Sequence, residues 1–129
     1  MNRKDFLQKS GLIAAGAALP MAAAGTKMKF IHHVLFWAKN PGNQTEVAQL
    51  KNAIIDLGKL PMIQHVHVGS PVVTEFDKSV TDGSYSISVV MVFENAAKED
   101  EYLHHPLHLK FINENKHLWG KVVVMDSVE

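Results

Sequence analysis

The chain predicts an α+β fold of order β-α-β-β-α-β, a four-stranded antiparallel sheet with helices on one face. Three observations carry this. Lys27–Lys39, Met62–Thr74, Ser84–Glu94 and Trp119–Val128 have the composition, and in part the period-two alternation, of strands. The stretches after the first and third of them carry helix caps and apolar residues spaced by three and four. Finally, two helical regions are too few to cover both faces of such a sheet. This is the split βαβ, or ferredoxin-like, arrangement.

A length of 129 residues allows one domain with a useful core. The 13 Lys and Arg balance the 13 Asp and Glu and do not cluster, which argues against a nucleic-acid partner. With no cysteine, disulfides, thiolate metal sites and lipid-modified cysteines are excluded.

Residues 1–24 stand apart from the fold. Arg3, Lys4 and Lys9 precede an alanine-rich apolar run, Gly11–Ala24, that closes on small residues. This is the pattern of an export signal cleaved after Ala24, and Arg3-Lys4-Asp5-Phe6-Leu7 looks like a twin-arginine motif with lysine in second place. The run is shorter than the roughly 20 residues that span a bilayer. Cleavage removes three basic residues and one acidic residue, leaving a mature chain with 10 basic and 12 acidic side chains, a net charge of −2, in which the domain covers 28–129. The expected location is the periplasm or the extracellular space, with no membrane attachment in the mature form.

In the first strand Met28, Phe30, His32, Val34 and Phe36 share one face, and Ile31, His33, Leu35 and Trp37 share the other. Both faces are largely apolar, as expected of a sheet covered on both sides. Asn43 and Glu46 have capping-box spacing, and Val47, Leu50, Ala53, Ile54 and Leu57 form one apolar stripe that stops at Gly58 and Pro61. In the second strand His65 and His67 share a face, two apart, a spacing that ligates metal only if a third ligand arrives; no metal is expected. Gly69-Ser70-Pro71 bends that strand. In the third, Tyr85, Ile87, Val89, Met91 and Phe93 form the helix-facing row, leaving Val90 and Val92 on the other side. Asn95 caps a helix to Leu103, a second helical segment runs over His105–Leu118, and the last strand buries Val122, Val123, Val124 and Met125. An apolar second face of this size predicts a homodimer packed sheet to sheet.

The stretch Asp100–Phe111 holds three of the eight histidines within five positions. Pro106 fixes φ and lacks an N–H, so one helix ends and another begins there, with Pro106 in the first turn. His108, Phe111 and Ile112 then share a face toward the sheet, and Tyr102, His105 and His108 surround one small volume. A near-neutral histidine can take a proton from carbon beside a carbonyl, and a tyrosine hydroxyl can orient it or stabilise the enolate. The competing reading is that a histidine here only bonds carbonyls freed by the helix break.

Ile31-His-His-Val-Leu-Phe36, Val66-His-Val-Gly-Ser-Pro71, Val92-Phe-Glu94, Tyr102-Leu-His-His-Pro-Leu-His108 and Val124-Met-Asp126 together resemble the stress-responsive α/β-barrel (Dabb) domain, over about residues 28–129. The resemblance implies a ferredoxin-like fold that dimerises through its sheets into an α/β barrel. One plant member performs an aldol cyclisation of a polyketide with a tyrosine and a histidine that match Tyr102 and His108, and with a further histidine that matches His33. On that resemblance Tyr102 and His108 are candidate catalytic residues, and His33, His105, Met91 and Phe111 are candidate ligand contacts. Two function classes follow: an exported dimeric module that binds a small apolar or carbonyl ligand without a cofactor, and an enzyme of cyclase or lyase type with His108 as general base. A structural stress protein without a ligand is the third. Related dimeric barrels that are monooxygenases add a weaker heme- or metal-handling class. An open cavity between helices and sheet favours the first two; a cavity filled by Leu107, Phe111 and Met91 favours the third.

Overall fold

Strand β1 (Phe30–Ala38) is the centre of the sheet. The computed structural model describes residues 29–129, so the expected export segment 1–24, and Met28 at the start of the first strand, lie outside the described residues. After β1 come helix α1 (Gln44–Leu57), β2 (His65–Gly69), β3 (Ile87–Phe93), α2 (Ala96–Leu103), α3 (Pro106–Asn115), a 3₁₀ turn (Lys116–Leu118), β4 (Trp119–Val124) and the short β5 (Ser127–Val128). The sheet order is β2-β3-β1-β4, all antiparallel, with β5 paired to the start of β1. The expected α+β, ferredoxin-like order is the observed one.

Alternation decides which face is covered. Every second residue of β3, Ile87, Val89, Met91 and Phe93, is buried beneath the helices. In register across β1 stand Phe36, Val34, His32 and Phe30. Helix α1 adds Leu50, Ile54 and Leu57 to this core. Burial of one such side chain contributes about 1.5–3 kcal/mol. The opposite face shows Ile31, His33, Leu35 and Trp37 of β1 and Val90 and Val92 of β3, and no helix of the described residues covers it.

The helix caps follow the sequence with one change. Asn43 accepts the Glu46 N–H at 3.1 Å, and Asn95 accepts the Lys98 N–H at 3.0 Å. The Glu46 carboxylate takes a hydrogen bond from the Asn40 amide instead of returning to Asn43, so the capping box is half made. Gly58 closes α1 in right-handed geometry; it is small because a Cβ there would stand 3.0 Å from a Val66 methyl.

Two expectations are corrected. The strands are shorter than their apolar runs: β2 ends at Gly69, before Pro71, which has no N–H for the ladder, and Ser84 turns back onto Asp82 before β3 begins. Val122, Val124 and Met125 are not buried but 37, 51 and 57 % exposed. Strand β4 is an edge, and α3 does not reach across it; Val122 and Val124 face the helix side at an open rim, and Met125 lies beyond the strand end.

Candidate functional site

The break at Pro106 sets the site. Helix α2 ends at Leu103, His105 is extended at φ −61°, ψ 137°, and Pro106 opens α3. His105 Nδ1 accepts the Leu107 N–H at 3.0 Å, so this side chain is the helix cap. One turn on, His108 Nδ1 donates to the Leu103 carbonyl at 2.9 Å and ties the start of α3 to the end of α2. A carbonyl only accepts, so the proton sits on Nδ1, and Nε2 keeps the lone pair. This tie brings the Tyr102 and His108 rings to 4.6 Å between centroids.

Behind them lies a cavity of about 310 Å3 between the helices and the sheet. Its walls are aliphatic and aromatic, including Val34, Ile54, Met91, Phe111 and Trp119, and its rim is Ile112, Val122 and Val124. The side chains with polar atoms on these walls are His32, Tyr102, His108 and the indole of Trp119. Among the described residues no fully buried polar side-chain atom lacks a partner, so the Tyr102 hydroxyl, which bonds to none of them, is not sealed off, and Tyr102 lines the cavity.

His32 sits across Tyr102, with ring centroids 5.9 Å apart. Its Nδ1 is 2.8 Å from Asp126 Oδ1 and 3.3 Å from Glu99 Oε2. Carboxylates accept, so Nδ1 carries a proton here too. Three elements thus meet: β1 supplies His32, α2 supplies Glu99, and the turn after β4 supplies Asp126. Their donor atoms lie within 4.8 Å of one another.

Burial governs the charges. It pushes the His108 pKa down from 6.5, opposed by the bond to Leu103, so the ring is neutral at pH 7. It pushes the Tyr102 phenol up, aided by Glu99, so the hydroxyl stays a proton donor. It also raises Glu99, against the pull of His32 and with the push of Asp126 and Asp100. The pair His108 and Tyr102 is therefore a neutral base beside a neutral acid, the combination that can polarise a carbonyl and accept a proton from the carbon next to it.

The sequence candidates divide as follows. Tyr102, His108, Met91 and Phe111 line the cavity. His105 does not; it is spent as the α3 cap. His33 does not either. It lies on the uncovered face, with Nε2 3.0 Å from Ser88 Oγ, because the period of two turns its neighbour His32 inward. His65 and His67 are exposed on that same uncovered face, in register with Val92 and Val90. Tyr102 and His108 meet by ring contact. Leu107 is half exposed and leaves the cavity unfilled.

His32 was legible as the polar member of the apolar row Phe30, Val34, Phe36. Glu99 had a weaker signal, its place three residues before Tyr102 on a helix. Asp126 had only its place in the motif Val124-Met-Asp126, which gave it no role, since its approach depends on β5 returning the chain to β1.

Residues 31–129 match the model of the stress responsive A/B barrel domain family. No curated protein matches the chain. Among solved structures, a dimeric ferredoxin-like protein of unknown function from Thermobifida fusca is 18 % identical, with a TM-score of 0.64 over 81 % of this chain and 93 % of its own. A Dabb family protein with a ferredoxin-like fold from Mesorhizobium loti is 20 % identical, with a TM-score of 0.65 over 80 % of this chain and 98 % of its own. A hydroxynitrile lyase from Passiflora edulis is 19 % identical, with a TM-score of 0.66 over 78 % of this chain and 93 % of its own.

Proposed function

The chain belongs to the stress responsive A/B barrel domain family, and we propose that it binds a small, largely apolar carbonyl compound between its helices and its sheet. The observation that carries this reading is the cavity of about 310 Å3 whose apolar walls are interrupted mainly by His32, Tyr102 and His108. That volume lies in the range of small-molecule sites, and few convergent polar groups on an apolar wall is their usual chemistry. The Tyr102 hydroxyl donates to the ligand oxygen, and the walls hold its hydrocarbon part.

A second reading is a lyase- or cyclase-type reaction at the same place, with His108 Nε2 as base and Tyr102 as acid. It is favoured by the tautomer that the Leu103 carbonyl imposes on His108, and by a similar fold in the Passiflora edulis hydroxynitrile lyase. A structural stress protein without a ligand is the weaker reading, because nothing among the described residues fills the cavity.

We propose, too, that the domain is a homodimer through the uncovered sheet face. The apolar row of Ile31, Leu35, Trp37, Val90 and Val92 supports it, as do the dimeric ferredoxin-like neighbours. The charged and alanine-rich residues 1–24 support export, and a mass lacking them in protein from the native host is the expected result. The ligand is tested by mass spectrometry of the same protein, first native and then denatured. A small molecule released in a fixed ratio to the chain, and missing from a Val34→Phe variant that fills the cavity, is expected. Its equal presence in that variant would overturn the cavity as the site.

A further inference from the structure

We propose that His32, Glu99 and Asp126 form a binding site for a divalent first-row transition ion, with Zn2+ as the reference probe. Two donors bound side by side to one ion at about 2.0–2.2 Å stand roughly 3.0–3.4 Å apart in octahedral or tetrahedral geometry. His32 Nδ1 stands 2.8 Å from Asp126 Oδ1 and 3.3 Å from Glu99 Oε2. The ligands come from three separate elements and need only small shifts to close on an ion.

The Glu99 side chain is nine-tenths buried, with 10 % of its surface exposed, yet no described residue gives it a hydrogen bond of normal geometry. Its one polar neighbour, His32 Nδ1, is already committed to Asp126 at 2.8 Å. A single ring proton cannot serve two carboxylates. No Lys or Arg of the described residues pairs with either of them; Lys59, Lys78, Lys98 and Lys110 pair elsewhere. A largely buried carboxylate whose polar neighbour is already committed elsewhere is a costly arrangement. A dication with a neutral imidazole and two carboxylates brings the cluster to zero net charge.

The donor set names the class of ion. One imidazole and two carboxylates suit Zn2+, Mn2+ or Fe2+, whereas Mg2+ and Ca2+ prefer oxygen alone. Asp126 keeps 35 % of its side chain exposed, so ions enter and water completes the coordination from that side. With the ion on Nδ1, the ring proton sits on Nε2. Metal loading therefore makes His32 a donor at the cavity wall.

The test is calorimetric titration of the full chain, freed of metal by chelator, with ZnCl2 near neutral pH. One ion per chain at micromolar affinity or tighter is expected. Glu99→Gln and Asp126→Asn should each weaken it by about tenfold or more, while His65→Ala combined with His67→Ala, on the opposite face, should leave it within about twofold. If Glu99→Gln fails to fold, Asp126→Asn decides alone, because its side chain is partly exposed. Absence of binding at micromolar Zn2+, an affinity held within tenfold in Asp126→Asn, or loss of binding in the His65/His67 variant would overturn the proposal. Titration with Mg2+ in place of Zn2+ should give no saturable heat, and equal affinity for Mg2+ would refute the assigned class.

Discussion

Replacing His108 in two ways separates its mechanical role from its chemical one. Its Nδ1 holds the Leu103 carbonyl at 2.9 Å across the break between α2 and α3, and its ring lies 4.6 Å from that of Tyr102. His108→Ala removes both. A carbonyl left without its partner costs about 1–2 kcal/mol at a part-buried place, and the lost aromatic contact about 0.5–1.5 kcal/mol. The total is about 2–3 kcal/mol, a fall in Tm of about 10 °C or more for a domain of this size. His108→Asn places an amide N–H close to where Nδ1 stood. It keeps the tie to Leu103 and loses only the ring, so roughly 1 kcal/mol is expected. Both variants lose Nε2 and with it any base chemistry. Thermal unfolding followed by circular dichroism measures all three proteins. An Ala variant melting within about 2 °C of wild type, or an Asn variant no more stable than the Ala variant, would refute the tie.

Because burial holds the folded His108 pKa below 6.5, neither state carries the proton well above that pH; as pH falls through 6.5 the unfolded chain takes it up first, so stability declines, and chemical denaturation at pH 7.5 and 5.5 should show a smaller decline in His108→Asn. Tyr102→Phe should leave the melting temperature nearly unchanged, since the hydroxyl has no partner among the described residues, but should weaken carbonyl ligands several-fold by titration. Leu50→Ala, at a fully buried position, should cost about 3–5 kcal/mol in urea unfolding. Light scattering should give twice the chain mass for wild type and a monomer for Val90→Asp, which puts a charge in the middle of the uncovered face.

Much of this was written in local pattern. The unbroken apolar row Ile87, Val89, Met91 and Phe93, with Ser88 on the other side, selects the buried face of β3, and through pairing that of β1. Asn43, Asn95 and Pro106 mark helix starts because each satisfies or lacks a particular N–H. The strand ends were less legible, since apolar runs such as Val122–Met125 read as core whether a helix lies above them or not. The site was legible as far as spacing carries: Tyr102, His108 and Phe111 share a wall because i, i+3 and the Pro106 reversal put them there. His33 was favoured over His32 by a motif match, although the alternation already pointed His32 inward. The approach of Glu99 and Asp126 to His32 depends on contacts between residues 32, 99 and 126, which no local period encodes.

The central claim, a carbonyl site inside the cavity, is tested most directly by the fluorescence of Trp119. Its ring stacks on Phe111 at 5.7 Å, and both line the cavity. Trp37, the other tryptophan, lies on the far face of the sheet, and Trp37→Phe silences it. The probe is 2-heptanone, a small ketone with an apolar tail that quenches indole on contact. Saturable quenching in Trp37→Phe, weakened several-fold by Tyr102→Phe and abolished by Val34→Phe, is the predicted result. Quenching that rises linearly with ketone, as for free tryptophan, and is the same in all three proteins would contradict the account.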